Sequence, residues 1–134
     1  MEAVRFAFPG PARDRLLDAV LRGQKTATSS LLAQWEAEGK ELPEVGERRQ
    51  VLDSDENPVA TIELTAVEVI RLADADLDLA QDEGEGFNTV TEWRRDHERF
   101  WREEAIPRLS GPLAVELTDE TLIVVERFRL ARNG

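Results

Sequence analysis

The sequence predicts an α+β fold, a small β-barrel with helices packed around it. Strand-like segments occur near both ends of the chain with helical segments between them, so the terminal strands are expected to close the barrel. The longest strand-like segment also changes its apolar phase, which is typical of a bulge in a curling sheet. No repeat, low-complexity segment or linker divides the 134 residues, and we therefore expect one domain over residues 1–134.

The chain begins with a predicted strand and a predicted helix. Residues 4–8 alternate enough to form a short strand, and Pro9-Gly10 closes it. Pro11 suits the first turn of a helix, and Gly23 suits its end. One face of this helix carries the apolar side chains Leu16, Leu17, Val20 and Leu21.

A second helix is predicted from Thr28 to Gly39. Its apolar positions follow helical spacing at Thr28, Leu31, Leu32 and Trp35. Residues 23–28 then form a tight link between two helices. This link is expected to place Lys25 and Thr28 beside a helix N-terminus.

The middle of the chain is predicted to form a β-hairpin. Residues 48–53 and 58–70 are strand-like and flank a polar turn over residues 54–57. One face of the longer strand carries Ala60, Ile62, Leu64 and Ala66. The apolar positions then shift to Val67 and Val69, and this phase change predicts the bulge.

The second half of the chain is predicted to hold one strong helix and two strands. An acidic, weakly helical segment over residues 73–82 ends at Glu83-Gly84-Glu85-Gly86. Thr89 and Glu92 form a capping-box pattern that opens the strongest helix of the sequence, which stops at Pro107. Two strands are predicted to follow, over residues 113–117 and 122–130.

The formal net charge of −11 lies almost entirely in one segment. Residues 53–85 contain eleven acidic side chains and a single basic one, Arg71, whereas the segments before and after are close to neutral. Binding a long duplex requires an extended basic face, which this composition does not supply, so we expect no duplex DNA partner. The composition is compatible with a small substrate or with a short local contact with a nucleic acid.

The composition also excludes several classes of protein. The chain has no cysteine, which rules out a disulfide framework, a Cys-ligated metal and a thiol nucleophile. It has one histidine, His97, so we expect no dedicated transition-metal site and no cofactor. Its apolar stretches are too short to span a bilayer, and it shows no signal-peptide pattern. We expect a cytoplasmic protein with no membrane partner.

Lys25 and Thr28 are the first candidates for catalysis. The chain has fifteen arginines and two lysines, so a retained lysine points to a need for an adjustable pKa. A helix N-terminus would disfavour protonated Lys25, which could then act as a general base for a Thr28 nucleophile. The same helix start would offer N–H groups to an oxyanion. The alternative is that Thr28 or Ser29 is a helix cap and Lys25 a surface charge.

Three further positions have both a functional and a structural interpretation. Glu83, next to a glycine, either orients the lysine or belongs to an exposed turn. Glu126 falls on an apolar strand face, where a carboxylate needs a partner, and a structural salt bridge is favoured over catalysis. His97 shares a helix face with Trp93 and Trp101, either as a core histidine or as part of a surface that stacks a base.

The G-x-K-x-x-T signature of the ASCH-domain superfamily, a group of small PUA-like β-barrels, resembles Gly23-Gln24-Lys25-Thr26-Ala27-Thr28. Further similarities follow in the order expected of its longer bacterial branch. They are Ser-Ser-Leu-Leu with an acidic helix, a Val-Leu-Asp strand, residues 80–84, a Trp-x-x-x-His-x-x-x-Trp helix and residues 125–128. The resemblance covers residues 12–130 and implies a small PUA-like barrel.

The resemblance also implies an activity on RNA-derived or modified nucleosides. Some ASCH proteins are amidohydrolases that remove the acetyl group of N4-acetylcytidine with a Lys, a Thr and a Glu, which correspond here to Lys25, Thr28 and Glu83. The residues expected to bind the substrate, a small nucleoside or short single-stranded RNA, are Gly23, Thr26, Ser29, Trp93, His97 and Glu126. Other members bind RNA or are ribonucleases, so a non-catalytic binding module and a metal-dependent ribonuclease are the alternatives.

Overall fold

The computed structural model describes residues 1–109 and 116–131. Within these ranges five strands form one sheet: β1 (Glu2–Val4), β2 (Ala27–Leu31), β3 (Arg48–Leu52), β4 (Pro58–Arg71) and β5 (Leu122–Leu130). The α-helices are α1 (Pro11–Leu21), α2 (Leu32–Ala37), α3 (Leu77–Asp82) and α4 (Val90–Phe100). A π-helical turn, Trp101–Ala105, continues α4, and 3-10 turns lie at Leu72–Asp74 and Ile106–Arg108.

The strands form a mixed sheet in the order β1-β3-β4-β5-β2. β1 runs parallel to β3, and the other neighbouring strands are antiparallel. The sheet curls into a half-barrel with helices packed around it, which confirms the predicted α+β fold. The predicted closure by the terminal strands is wrong, because β1 and β2 form the edges of the described sheet and β5 lies inside it.

The central hairpin and its bulge confirm the prediction from apolar phase. Asp53 Oδ1 accepts hydrogen bonds from the backbone N–H groups of Asp55 and Asn57, both at 2.9 Å, which fixes the turn between β3 and β4. The register between β4 and β5 shifts between Leu64 and Ala66. One residue of β4 is therefore unmatched at the point where the apolar side chains change face.

The predicted N-terminal strand over residues 4–8 is wrong except at Val4, because the observed strand lies earlier in the chain, at Glu2–Val4. β1 ends at Val4, and Ala7 adopts a φ of +59°, which an extended strand does not allow. The buried guanidinium of Arg13 donates to the backbone carbonyls of Phe6 and Ala7 instead. Pro11 opens α1 as predicted.

The second predicted helix is wrong over its first four residues. Residues 28–31 belong to β2, which pairs with β5 along its whole length, for example Ser29 with Val125. The sheet provides this segment with backbone partners from a distant part of the chain, and no local pattern shows them. The helix α2 begins only at Leu32, where the side chain of Gln34 accepts a hydrogen bond from the N–H of Leu31 at 2.9 Å.

Two buried clusters cover the two faces of the sheet. The first includes Ala27, Leu31, Leu79, Trp93, Trp101, Ile123 and Val125. The second includes Phe6, Leu17, Val20, Val51, Ile62, Leu64 and Phe128. The predicted strand over residues 113–117 lies largely outside the described residues. In the part of the chain that is described, no helix is both long and apolar enough to cross a membrane.

Candidate functional site

A cavity of about 720 Å³ opens beside the outer edge of β2. Its other walls are the segment leading into α1, the loop after α3, and the C-terminal half of α4 with its π-helical turn. This volume lies within the range of about 300–1,000 Å³ that is usual for small-molecule sites. Three buried polar residues line it: Lys25, Glu83 and His97.

Lys25 lies between α1 and β2 and is only 3% exposed. Its Nζ donates hydrogen bonds to the carbonyl oxygens of Ala27 at 2.9 Å and Glu83 at 3.1 Å. Burial lowers the pKa of Lys25, outweighing the nearby carboxylates of Glu83 and Glu85. A neutral amine can satisfy both carbonyls with its two N–H groups and keep a free lone pair. The sequence predicts a lowered pKa here, but the cause is burial and not a helix N-terminus.

The carboxylate of Glu83 is 2% exposed and fully hydrogen-bonded. Oε2 accepts from Ser29 Oγ at 2.8 Å and from Trp93 Nε1 at 2.6 Å, and Oε1 lies 3.0 Å from His97 Nε2. Burial alone would raise the pKa of Glu83, but the hydrogen bond and charge of His97, with the charge of Lys25, bring it below its ordinary value. Glu83 contacts Lys25 through its backbone carbonyl, not through this carboxylate.

His97 forms an ion pair with Glu83. Its Nδ1 lies 2.9 Å from the carbonyl oxygen of Trp93, which can only accept, so Nδ1 carries a hydrogen. Its Nε2 faces an ionised carboxylate, which requires a second hydrogen. Burial opposes the charge of His97, but the hydrogen bond and charge of Glu83 outweigh it and raise the pKa of His97. The site therefore contains a buried imidazolium–carboxylate pair.

Gly84 allows the loop after α3 to approach Lys25. A β-carbon at Gly84 would lie 2.8 Å from Lys25 Cβ and 2.9 Å from Lys25 Cα. The φ of Gly84 is +76°, which L side chains rarely adopt. The sequence shows a glycine beside Glu83 but not this close contact, because the contact joins residues far apart in the chain.

Thr28 and Ser29 lie in the cavity wall on the edge strand β2. The predicted helix N-terminus beside Thr28 is absent, and with it the oxyanion site assigned to a helix start. Ser29 donates to Glu83, whereas no hydrogen bond within residues 1–109 and 116–131 joins Thr28 to Lys25. The structure thus brings Lys25, Thr28, Ser29, Glu83 and His97 together in one cavity.

Gly23, Thr26 and Trp93 do not line this cavity. Gly23 turns the chain out of α1 with a φ of +76°. The backbone of Thr26 donates to the carbonyl of Asp82 at 2.7 Å and accepts from the N–H of Phe128 at 2.9 Å. Trp93 is fully buried in the core and contacts the site from behind, through its bond to Glu83 and through its carbonyl bond and ring stacking with His97.

Glu126 lies in β5 outside the cavity wall, opposite Thr28 in the strand register. Its Oε2 accepts from Arg49 Nη1 at 3.0 Å, and Arg49 also bonds to Glu47. Burial raises the pKa of Glu126, despite the opposing charge of Arg49. Glu126 thus forms a salt bridge with Arg49, the structural role that its position on an apolar strand face predicts.

Sequence reasoning missed the aromatic wall of the cavity. Phe6 packs beneath Lys25, with its ring centre 5.2 Å from Nζ, and Phe8 and Phe100 line the cavity while remaining exposed. The alternation pattern places Phe6 and Phe8 in a strand, and helical spacing places Phe100 on the same face as Trp101. The one local sign of this wall in the sequence is the pair of phenylalanines, Phe6 and Phe8, on either side of Ala7 and directly before Pro9-Gly10.

Glu83, Glu85 and His97 are the described residues best placed to hold a cation. Each offers one ligand atom, and these atoms lie within 4.8 Å of one another. The carboxyl of Glu85 is desolvated at the cavity wall, which raises its pKa, although much of its side chain stays exposed. Because Glu83 already binds the Nε2 proton of His97, a metal ion would have to displace that proton. The arrangement favours the ion pair.

A family model described as the ASCH domain matches residues 4–132. The chain is similar to the crystal structure of a DUF984 protein from Enterococcus faecalis, with a TM-score of 0.85 and 29% identity, over 98% of this chain and 76% of that chain. It is also similar to an ASCH domain from Lactobacillus crispatus, with a TM-score of 0.83 and 29% identity, over 96% of this chain and 78% of that chain. No curated protein matches the chain.

Proposed function

We propose, from the premise that this chain belongs to the ASCH-domain family, that it is an amidohydrolase that removes the acetyl group of N4-acetylcytidine. One observation carries the proposal: a buried lysine of lowered pKa lies in the wall of a cavity of about 720 Å³. This arrangement places a potential general base in the wall of a pocket large enough for a small substrate.

Lys25 is the proposed general base. A lysine near its ordinary pKa is protonated at neutral pH and cannot accept a proton. Burial of Lys25 shifts its equilibrium toward the neutral amine, whose two N–H groups bond to Ala27 and Glu83. Its lone pair is then available for a proton of the nucleophile.

In the proposed reaction, water attacks the acetyl carbonyl carbon while the nitrogen of Lys25 takes one of the water protons. The tetrahedral intermediate then breaks its bond between carbon and N4, and Lys25 returns the proton to the departing N4 nitrogen. The products are cytidine and acetic acid, which ionises in water. Lys25 is neutral again at the end of the cycle.

Water is proposed as the nucleophile because the hydrogen bonds of Lys25 go to two backbone carbonyls, at Ala27 and Glu83. A Thr28 nucleophile would need its hydroxyl proton within reach of Lys25 Nζ. Thr28 lies in the cavity wall, where its hydroxyl can position the acetylated base. We therefore assign Thr28 a binding role.

The edge of β2 provides the proposed oxyanion donor. The carbonyl of Ala27 and the N–H of Leu31 both bond to side chains outside the sheet, so they point away from β5. Backbone groups alternate along an antiparallel strand, and Ser29, midway between these residues, shares their direction. Its N–H therefore faces the cavity side of β2, where it can stabilise the negative oxygen of the intermediate.

The pair formed by Glu83 and His97 is proposed to support Lys25 electrostatically. When Lys25 takes a proton, the ammonium gains an anionic neighbour in Glu83 and keeps its bond to the Glu83 carbonyl. The charge of His97 offsets part of that attraction, so the ammonium is stabilised only transiently. A base that binds its proton too firmly would not return it to N4.

Incubation of the purified protein with N4-acetylcytidine, followed by chromatography of cytidine, tests the proposal. We expect deacetylation by the wild type and a loss of about 10²–10⁴-fold in kcat for Lys25→Met. Glu126→Gln is the matched control, because it also changes a buried charged group but lies outside the cavity. We expect its kcat to equal that of the wild type.

Parallel incubations with single-stranded RNA, with and without EDTA, separate the rival functions. RNA cleavage that EDTA abolishes, without deacetylation, would identify a metal-dependent ribonuclease. RNA binding without any turnover would identify a binding module. Deacetylation that survives Lys25→Met would refute the role of Lys25.

A further inference from the structure

We propose that Phe8 and Phe100, an exposed aromatic pair at the mouth of the cavity, stack the nucleobase next to the acetylated cytidine in a short single-stranded RNA. The inference rests on the proposed deacetylase function and specifies its substrate. In this arrangement the cavity binds the acetylated nucleotide, and the aromatic pair binds the base of the neighbouring nucleotide.

The aromatic pair is unusual in its exposure. Phe8 is 42% exposed and Phe100 is 40% exposed, and both line the cavity. Their ring centres are 6.3 Å apart, with an angle of 45° between the rings. By contrast, Phe6 and Phe128 are buried in the core. Two exposed aromatic rings that meet at a cavity mouth offer an apolar surface to a planar group.

The fold holds Phe8 in place. Ala7, with its φ of +59°, directs Phe6 into the core and leaves Phe8 at the cavity mouth. The guanidinium of Arg13, a residue 3% exposed, donates to the carbonyls of Phe6 at 3.2 Å, Ala7 at 2.8 Å and Asp53 at 3.3 Å. A backbone that is already fixed just before Phe8 loses little conformational entropy when a base stacks on the ring.

Positive charge accompanies the aromatic pair. The guanidinium carbon of Arg108 lies 4.7 Å from the ring centre of Phe8, and this 66% exposed side chain also forms a long ion pair with Glu104, at 3.8 Å. Arg15 lines the cavity, is exposed, and forms no ion pair within the described part of the chain. Proteins bind single-stranded nucleic acid by combining stacking rings with guanidinium groups that contact the backbone. This combination selects a base with its phosphate.

The charge of the remaining wall limits the length of the strand. Five carboxylates line the cavity: Glu83, Glu85, Asp96, Glu103 and Glu104. They disfavour a phosphate inside the cavity and a long strand along its rim. We therefore infer a contact with one neighbouring nucleotide at the mouth, and no extended RNA groove.

The test compares two substrates with two variants. The substrates are the nucleoside N4-acetylcytidine and a single-stranded trinucleotide with N4-acetylcytidine at its centre. The variants are the double substitution Phe8→Ala with Phe100→Ala, and Val45→Ala, a control that shortens an exposed apolar side chain outside the cavity. The readout is the ratio of kcat/KM for the trinucleotide to kcat/KM for the nucleoside.

We expect the wild-type ratio to exceed one and the double variant to lower it by about 5- to 100-fold, the range of one lost base–aromatic stack. Val45→Ala should keep the wild-type ratio. A wild-type ratio at or below one, or an equal ratio in the double variant, would overturn the inference. Circular dichroism of each variant confirms that the fold is retained.

Binding of a fluorescent, unacetylated trinucleotide, measured by anisotropy, separates this inference from the proposed function. If the nucleoside is not hydrolysed, the deacetylase function fails, but the aromatic pair still predicts that the double variant weakens trinucleotide binding by about 5- to 100-fold. No binding by the wild type, or equal binding by the double variant, would overturn the stacking site independently of catalysis.

Discussion

Glu83 and Glu126 are both buried carboxylates, yet their surroundings shift their pKa values in opposite directions. Glu83 accepts hydrogen bonds from Ser29, Trp93 and His97. Glu126 depends on one guanidinium, that of Arg49, which it shares with Glu47. Burial penalises both charges, and the number and exclusivity of the donors decide whether the penalty is overcome.

The difference follows the position of each residue relative to the proposed base. Glu83 is adjacent in space to Lys25, and its hydrogen-bond donors stabilise the anion there. Glu126 lies outside the cavity wall and joins two strands of the half-barrel, where a carboxylate of raised pKa affects only the scaffold. Substitutions of the two carboxylates should therefore differ most in their effect on the free energy of unfolding and least in their effect on the pH dependence of activity.

Replacement of each carboxylate by the neutral amide should give the largest contrast. We expect Glu83→Gln to lower the free energy of unfolding by about 3–5 kcal/mol, since it removes one member of a buried ion pair and leaves His97 without its anion. We expect Glu126→Gln to stay within about 1 kcal/mol of the wild type, since the amide oxygen can still accept from Arg49 and a penalised charge is lost. Urea denaturation at pH 7 measures both. Equal losses would show that the two carboxylates are equivalent.

The loop that carries Glu83 gives the second contrast. Gly84→Ala should cost about 2–5 kcal/mol, because the new methyl group combines a left-handed backbone with overlap against Lys25. Gly86 is the matched control: its φ is +83°, but nothing lies within 4 Å of the position that an alanine methyl group would take. Gly86→Ala should therefore cost only about 1–2 kcal/mol, the backbone contribution alone. If thermal unfolding gives both variants the same loss, the contact with Lys25 has no energetic weight.

Features of the structure that depend on local sequence were predictable. The bulge in β4, the cap of α4 at Thr89 and the opening of α1 at Pro11 each follow from neighbouring residues. Lys25 is a candidate because the chain has few lysines and because the motif around it resembles a known signature, and Glu83 is a candidate because it lies beside a glycine and because the same resemblance implies a glutamate there. Sequence alone thus indicated the cavity's two central residues.

What could not be predicted depends on contacts between distant segments. The strand over Thr28 exists because β5 supplies its hydrogen bonds, and the apolar spacing of that segment suits a helix equally well. The charge of His97 arises from Glu83, on a different element, and Arg13, which binds the loop that carries Phe8, also bonds to the carbonyl of Asp53, 40 residues away. A pattern within one segment contains no information about such partners.

The dependence of stability on pH should separate the two carboxylates by sign. The pKa of Glu83 in the folded state is below its ordinary 4.5, so its contribution is complete above pH 4.5 and is lost as the pH falls through the folded value. The pKa of Glu126 is above 4.5, so its charge weakens the fold as the pH rises from 4.5 through the folded value. The free energy of unfolding of Glu83→Gln should therefore approach that of the wild type as the pH falls below 4.5. That of Glu126→Gln should rise relative to the wild type as the pH increases toward neutral.

His97 adds an upper limit to the contribution of the Glu83 pair. The pKa of His97 is raised above 6.5 in the folded state, so the stability that its charge contributes is complete below pH 6.5 and is lost as the pH rises through the folded value. The pair is therefore fully effective between about pH 4.5 and 6.5. Urea denaturation in steps of half a pH unit tests this, with His97→Gln as the control that removes the upper limit. Identical curves for His97→Gln and the wild type above pH 5 would contradict the ion pair.

The smallest expected effect concerns the pH dependence of deacetylation. Activity should rise as the pH passes the lowered pKa of Lys25, because only the neutral amine accepts a proton. The charge of Glu83 raises the pKa of Lys25, so Glu83→Gln should move the midpoint of this rise to lower pH. Without the Glu83 anion, His97 also loses its proton, so the net charge near Lys25 changes little. We therefore expect the midpoint to shift by about one pH unit or less, the usual scale of environmental pKa shifts in proteins. Glu126→Gln should leave the midpoint in place. A shift in Glu126→Gln equal to that in Glu83→Gln would mean that Lys25 responds to the total charge of the protein and not to the carboxylate beside it.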